Sequence, residues 1–384
     1  MSEAKVHYEV WINGTKKIEP GPYSMKITRS IGMNTLVVAK VARPFTRDPN
    51  AAELPESGTP VKVVWGTKPD KLRTWYGYIH YAQINDDDPT GPANHEVVEY
   101  AMLGTGMALE NERNRDWREI TDSGIALKIA EEYGLACVVH QTKRVHKYLY
   151  QPGVSDLEWL RQRARECERR VHVENGVLYF VDPASLALAR KQQPIRSIMN
   201  KGREADEVKN IEPIYGALVP RAGKQAQRVV SGLDIKTNQL LETKAVPQKP
   251  VLEWVARDAN VADVAELYER ANAYNVEHEE WLHAKMEIEH YSNVDHLPGQ
   301  LVDIDGRAVH PTMRGIWMIT QSEHYLESRF VSGTGVRRFD SELIITRNSP
   351  STYSLRDRQV PNIDDTCMLS GNFWISVNQQ KVLL

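Results

Sequence analysis

The chain has 384 residues, 41% of them hydrophobic, and a net charge of −3 from 48 basic and 51 acidic side chains. That balance excludes a general nucleic-acid binder, which needs a basic face, and the length leaves room for roughly two to four domains with their own cores. Cys137, Cys167 and Cys367 are too few and too scattered for a disulfide framework or a zinc site; residues 1–18 hold no apolar signal stretch, and no window approaches the ~20 apolar residues of a membrane span.

Residues 6–103 read as all-β. The runs are Val6–Ile12, Tyr23–Ser30, Leu36–Ala42, Val61–Trp65, Thr74–Ile84 and Glu96–Leu103, with a hairpin signal at Asn13-Gly14. Short strands divided by turn residues predict a small barrel or sandwich. The loops Arg43–Gly58 and Asp86–Asn94 are polar and rich in Pro and Asp, so they should project and meet other proteins. Trp75, Tyr76, Tyr78 and Tyr81 could form a sugar platform, but aromatic strands more often serve a β core or an interface.

Residues 117–135 predict a helix. Thr121, Asp122 and Ser123 offer a cap, Ile125, Ile129, Ala130 and Tyr133 an apolar face, and Gly134 a C′ residue. Ala136–His140 and His146–Tyr150 read as extended. Then comes YQPGVSDLEWLRQRARECERRVHVENGVLYFVDP, residues 150–183. Ser155 with Glu158 is a capping box. Leu157, Leu160, Ala164, Cys167 and Val171 make one apolar stripe. Gln162, Arg165, Glu166 and Arg169 lie opposite, with Arg161 and Arg163 on the flanks. This arginine face should point outward or into a subunit contact, because the interspersed acids argue against DNA contact. Val171–Val173 and Val177–Val181 flank Asn175-Gly176, a second hairpin signal.

Residues 183–203 read as a polar connector. Val208–Val219 and Gln225–Val230 read as strands. Asn260 caps a long predicted helix to about Leu282, with Val264, Tyr268, Ala271 and Trp281 near one face. The strands Ala284–Tyr291, Gly299–Ile304, Gly315–Leu326 and Arg338–Thr346 follow. In the tail 348–384, Pro350, Pro361, Asp364 and Asp365 break regular structure. Phe373, Ile375 and Val377 suit one face of a strand. That much apolar surface predicts a docked segment rather than a disordered end.

No catalytic, cofactor-binding or metal residue emerges. His278 and His283 in HEEWLH are five apart, not the four that a zinc helix needs. Asp303, Asp305 and Gly306 suggest a calcium loop, but its twelfth position is Arg314. Asp86, Asp87 and Asp88 read as a solvated loop. Gly104-Thr105-Gly106 lacks a phosphate-loop lysine and reads as a turn. No serine stands in a nucleophile elbow.

Several of these segments carry family motifs. Ser155, Asp156, Leu160 and Ala164 match a helix written s-D-x-x-x-L-x-x-x-A, and Gly176, Leu178 and Phe180 a strand written g-x-L-x-F. Gly77 and Ile79 match an earlier strand, and Tyr133-Gly134-Leu135 a helix end. Leu297, Pro298, Gly299, Val302 and Ile304 match one late motif; Gly315, Trp317, Ile319 and His324 match the next. In spacing and order the chain resembles the late-control-protein-D family of phage tail hub proteins, shared by the N-terminal part of type VI secretion spike proteins. The resemblance covers roughly residues 6–347. Two positions depart: Glu168 or Arg169 replaces a usual glycine, and Ser322 an apolar residue.

The resemblance implies a β-rich α+β chain of two small β-barrels with an α/β module between or beside them. The first barrel would span 1–105 and the module 106–200. The second barrel would span 201–347, with an excursion near Leu233–Pro250, and a partner-docking extension 348–384. It implies a homotrimer forming a pseudo-sixfold ring at the virion tail or baseplate, assembled in the host cytoplasm. Its partners would be a tail tube protein, a separate spike protein and other baseplate proteins, with DNA in transit only, no cofactor and no reaction. The rivals are a tail-borne cell-wall hydrolase and a receptor- or carbohydrate-binding tail module.

Overall fold

The structure is a computed structural model. It describes residues 7–19, 21–44, 54–66, 72–84, 95–182, 195–198, 207–214, 226–234, 239–243, 252–257, 267, 270, 282–289, 296–306, 309–331, 334–347, 374–377 and 380–383. In chain order the elements are β1 (His7–Ile12), β2 (Lys16–Lys17), β3 (Ser24–Ser30), β4 (Leu36–Pro44), β5 (Pro60–Gly66), β6 (Arg73–Ile84) and β7 (His95–Gly104). Then come β8 (Glu112–Thr121), α1 (Asp122–Glu132), β9 (Ala136–Val139), β10 (Val145–Ser155), α2 (Asp156–Glu166), β11 (Arg170–Glu174) and β12 (Val177–Val181). The last are β13 (Ile195–Ile198), β14 (Glu207–Ile214), β15 (Ala226–Asp234), β16 (Gln239–Thr243), β17 (Leu252–Arg257), β18 (Leu282–Glu289), β19 (Leu301–Asp305), β20 (Gly315–Val331), β21 (Thr334–Arg347), β22 (Trp374–Val377) and β23 (Gln380–Leu383). The β-rich α+β character expected from the sequence is present.

One sheet takes thirteen strands, in the order β19-β13-β14-β18-β21-β20-β3-β4-β7-β6-β5-β1-β2. In its second half β19 pairs with β13 and also with β20, so the pairings from β20 through β21, β18, β14, β13 and β19 return to β20. The first half shows no such return among the described residues. The two halves meet at β20, which pairs with β19 over Gly315–Met318 and with β3 over Gln321–Glu327. Leu326 joins the core of Trp65, Trp75, Met25 and Met102, whereas Trp317 and Ile319 join that of Met286, Ile288 and Leu343. One strand thus feeds two cores.

Gly77 shows how tight the first core is. A Cβ there would stand 2.3 Å from the Leu103 carbonyl and 2.4 Å from the Trp75 ring. Only glycine lets the indole close over the strand. Trp75 and Tyr78 are buried and Tyr81 is exposed, so the aromatic run is divided between core and surface.

Residues 112–181 form a separate α/β unit. β10 pairs with β8; β11, β12 and β9 make a second small sheet, with β12 parallel to β9. Both helices end as their caps dictate. Thr121 accepts from Gly124 N at 3.0 Å, and Ser155 from Glu158 N at 3.2 Å. α1 closes with Gly134 at φ 65° and Leu135 N on Ala130 O at 2.9 Å. α2 closes the same way, Arg169 N on Ala164 O at 2.8 Å, but its left-handed residue is Glu168, φ 61°. That is where the family's glycine is missing.

Two expectations need correction. Residues 117–121 belong to β8, not to the first helix. Gln225–Val230 was expected in the second barrel, yet β15 pairs with β16 and β17 in a sheet of their own. β17 itself had no expected counterpart. The polar β8 pairs only with β10, and its faces alternate too weakly to show in sequence.

Candidate assembly site

The residues that dock the α/β unit on the first half are polar, some of them charged, and they are buried or half-buried. The Asn175-Gly176 turn has φ of 49° and 75°, as a type I′ hairpin requires. It docks on β6. Asn175 Oδ1 accepts from Tyr76 N at 3.0 Å, and Asn175 Nδ2 donates to Thr74 O at 3.3 Å. Gly176 N donates to the buried Thr105 hydroxyl at 3.0 Å. The Gly104-Thr105-Gly106 turn is therefore a socket for this hairpin. Arg29 donates to Glu174 at 3.1 Å and lies 5.0 Å over the Trp65 ring; Thr35 donates to the other Glu174 oxygen. Arg161 reaches Gly32 O at 3.0 Å.

Inside the α/β unit lies an ion network. Arg163 was placed on a flank of α2 by its periodicity, but it is 4% exposed. Its Nε donates to Asp122 at 2.6 Å and an end nitrogen to Glu166 at 2.6 Å. His146 Nε2 stands 3.0 Å from Asp122, and Arg270 lies 3.1 Å from Glu166. Burial works to raise the Asp122 carboxyl, but the His146 hydrogen bond and the Arg163 charge outweigh it, so its pKa lies below the usual value. Nearby Asp156 is fully buried at the start of α2. It accepts from Arg115 at 2.8 Å, Tyr133 at 2.8 Å and Gln151 at 3.0 Å. Burial and then the Asp156 carboxylate push Tyr133 up to about 12.

At the junction strand, Ser322 pairs with Arg29 and His324 with Ile27. Both side chains are fully buried, and His324 bonds Ser341 Oγ. On the other face Glu323 takes bonds from Tyr325 and Lys26. These hold its carboxyl below the usual range although burial opposes them. Further along, Arg347 lies 4.1 Å over the Trp317 ring and donates to Arg314 O at 3.0 Å; burial draws its pKa down to about 10.

The motifs set aside in sequence resolve differently. His283 sits in β18, a strand, where no single helix face could carry the zinc pair; His278 lies outside the described residues. Gly306 turns the end of β19 at φ 125°, with its N–H on Asp305. The acidic loop Asp86–Asp88 and the long helix after Asn260 lie outside the described residues, except that Leu267 and Arg270 are helical and buried. Sequence reasoning missed the network around Arg163. Asp122 was legible as a cap, but nothing in the sequence pointed to Arg270 as the neighbour of Glu166.

No family model and no curated protein matches this sequence. Solved structures do match it. The tail protein from Neisseria meningitidis MC58 superposes with a TM-score of 0.62 at 11% identity, covering 90% of this chain and 97% of that one. The 43 kDa tail protein of prophage MuSo2 from Shewanella oneidensis gives 0.63 at 12%, covering 90% and 99%. An E. coli component of the type VI secretion system, described as similar to the T4 bacteriophage tail proteins gp27 and gp5, gives 0.54 at 12%, covering 92% and 80%. Over nine-tenths of its length this chain has the fold of phage tail and type VI secretion proteins.

Proposed function

We propose that this chain is the hub of a phage tail or tail-like injection device. Three copies form a ring on the tail axis, with the tube on one side and a separate spike on the other. Each chain contributes two barrel-like halves, 1–105 and 201–347, so three chains present six. A sixfold tube then meets a threefold spike without a break in contacts, since a closed ring repeats one heterologous interface. The module 106–200 braces the ring, and 348–384 docks on the spike or a neighbouring hub. DNA or cargo passes through; no chemical step belongs to the hub.

The observation that carries this reading is coverage. The fold matches whole tail proteins end to end, with 97% and 99% of their chains included. The return of strand pairings from β19 to β20 supports a barrel in the second half.

The test is the mass and symmetry of the purified chain with its tail partners. Light scattering should give three chains per particle, and electron-microscope class averages a ring with a central opening. A monomer in the assembled tail, or a ring of another order, overturns the proposal. Truncation after Arg347 should leave a folded hub that no longer recruits the spike.

A further inference from the structure

Among the open-edged strand segments of the described residues, two have complementary chemistry. The first is the end of β6. Its pairing with β5 stops at Pro60–Tyr78, and Ile79 is still bonded on that side through Gly58 and Thr59. Over Tyr81–Ile84, β6 pairs with β7 alone, and no described strand covers its other side. His80, Tyr81, Gln83 and Ile84 are exposed, Tyr81 and Ile84 by 41% each. Glu99, on the inner strand β7 directly across β6 from this edge, accepts from the Tyr81 hydroxyl at 3.1 Å and from Gln83 at 3.5 Å, within reach of a long side chain crossing β6.

The second is the far end of the β20–β21 hairpin. β3 leaves β20 after Glu327, and β18 leaves β21 at Asp340. Beyond those points, among the described residues, Ser328–Val331 and Thr334–Phe339 pair only with each other. At the usual rise per residue this arm runs ~15 Å past the sheet. Its sequence, residues 328–339, holds Arg329, Arg337 and Arg338 and no acid, in a chain whose net charge is −3. Phe330, Val331 and Val336 lie between the arginines in sequence, and Phe339 follows them.

A two-stranded ribbon standing alone is marginal in water. Its open edges are templates for another strand, and charged residues keep such edges from pairing with their own kind. Three arginines on the arm therefore repel a second arm and favour an edge that offers a carboxylate. The end of β6 is such an edge. It has similar length, an apolar surface at Tyr81 and Ile84, and Glu99 across β6.

We propose that the arm of one copy adds as a strand to the Tyr81–Ile84 edge of a second copy. Main-chain hydrogen bonds supply the affinity, and an arginine–Glu99 pairing sets the register. Arm and edge are different surfaces of one chain, so the contact is heterologous and propagates around a ring or along a filament. Closure at three rests on the hub reading above; the contact itself does not.

The test uses full-length chain with single cysteines. Gln83→Cys is mixed in turn with Arg329→Cys and Arg337→Cys, one on each strand of the arm, and oxidised at a concentration where wild type is oligomeric. A disulfide-linked heterodimer should form in at least one mixture, and neither variant alone should cross-link. As a second arm, Ile84→Pro should weaken oligomerisation at least tenfold while keeping the wild-type circular dichroism spectrum. An oligomer with no mixed disulfide, or one that Ile84→Pro leaves intact, overturns the proposal. So does a triple arginine-to-serine variant that loses binding to labelled duplex DNA but keeps its oligomeric mass, which would make the arm a nucleic-acid contact. A trimer without the cross-link sinks this contact and spares the hub. The cross-link in a ring of another order does the reverse.

Discussion

Arg163 donates its Nε hydrogen to Asp122 at 2.6 Å, and both side chains are buried. The pair ties the middle of α2 to the first residue of α1. Removing the cation would leave two acids, Asp122 and Glu166, without their main partner. Breaking such a buried pair typically costs about 3–5 kcal/mol. Arg163→Met should show a loss of that order in urea unfolding, whereas Arg165→Met, on the exposed position of the same helix, should change stability little.

The same carboxylate sets an acid dependence. The folded pKa of Asp122 lies below the ordinary aspartate value of 3.8. Its contribution to stability is therefore fully present above about pH 4 and is lost as pH falls through the folded value. Asp122→Asn should flatten the stability curve over that acid range relative to wild type. An unchanged acid limb would show that the network is not what titrates.

At the docked hairpin, Asn175 does two jobs. It tolerates φ of 49° and it bonds two backbone groups of β6. Asn175→Ala loses both, at about 1–2 kcal/mol for the left-handed backbone and about 1 kcal/mol for each bond. Asn175→Gly should recover most of the first loss and none of the second. Denaturation midpoints of the two variants separate the contributions.

The left-handed position after α2 offers a gain. Glu168→Gly relieves the backbone and should stabilise by about 1 kcal/mol, while Gly134→Ala at the matching site of α1 should destabilise by a similar amount. A Glu168→Gly variant no more stable than wild type would mean that the glutamate's own contacts offset its strain.

Ser322 is fully buried, and its hydroxyl meets no hydrogen-bond partner among the described residues. A buried hydroxyl in that state costs about 1–3 kcal/mol. Ser322→Ala should therefore raise the thermal midpoint, an unusual direction for a core substitution. A lower midpoint would show that the hydroxyl is satisfied.

What was legible in the sequence was local. The caps at Thr121 and Ser155, the Asn175-Gly176 turn and the glycine at Gly134 depend on a few neighbouring residues, and each appears where its chemistry puts it. Six of the seven strands of residues 7–104 are read within two residues, and the two-residue β2 is too short to show. What failed was non-local. β15 looks like any barrel strand until its partners are known. Arg163 looks solvated on a helical wheel because Asp122 lies 41 positions away in sequence. The open edge of β6 and the free arm exist only once the flanking strands are seen to stop.

The shared strand β20 also decides how the molecule bears load. The first and second halves meet along β3 and β20. They are joined by the antiparallel pairing from Gln321–Ser30 to Glu327–Ser24. A pull along the strand direction loads all those hydrogen bonds together in shear. A pull across the strands would peel them one at a time and break them at far lower force. The junction is thus strong along one axis and weak across it.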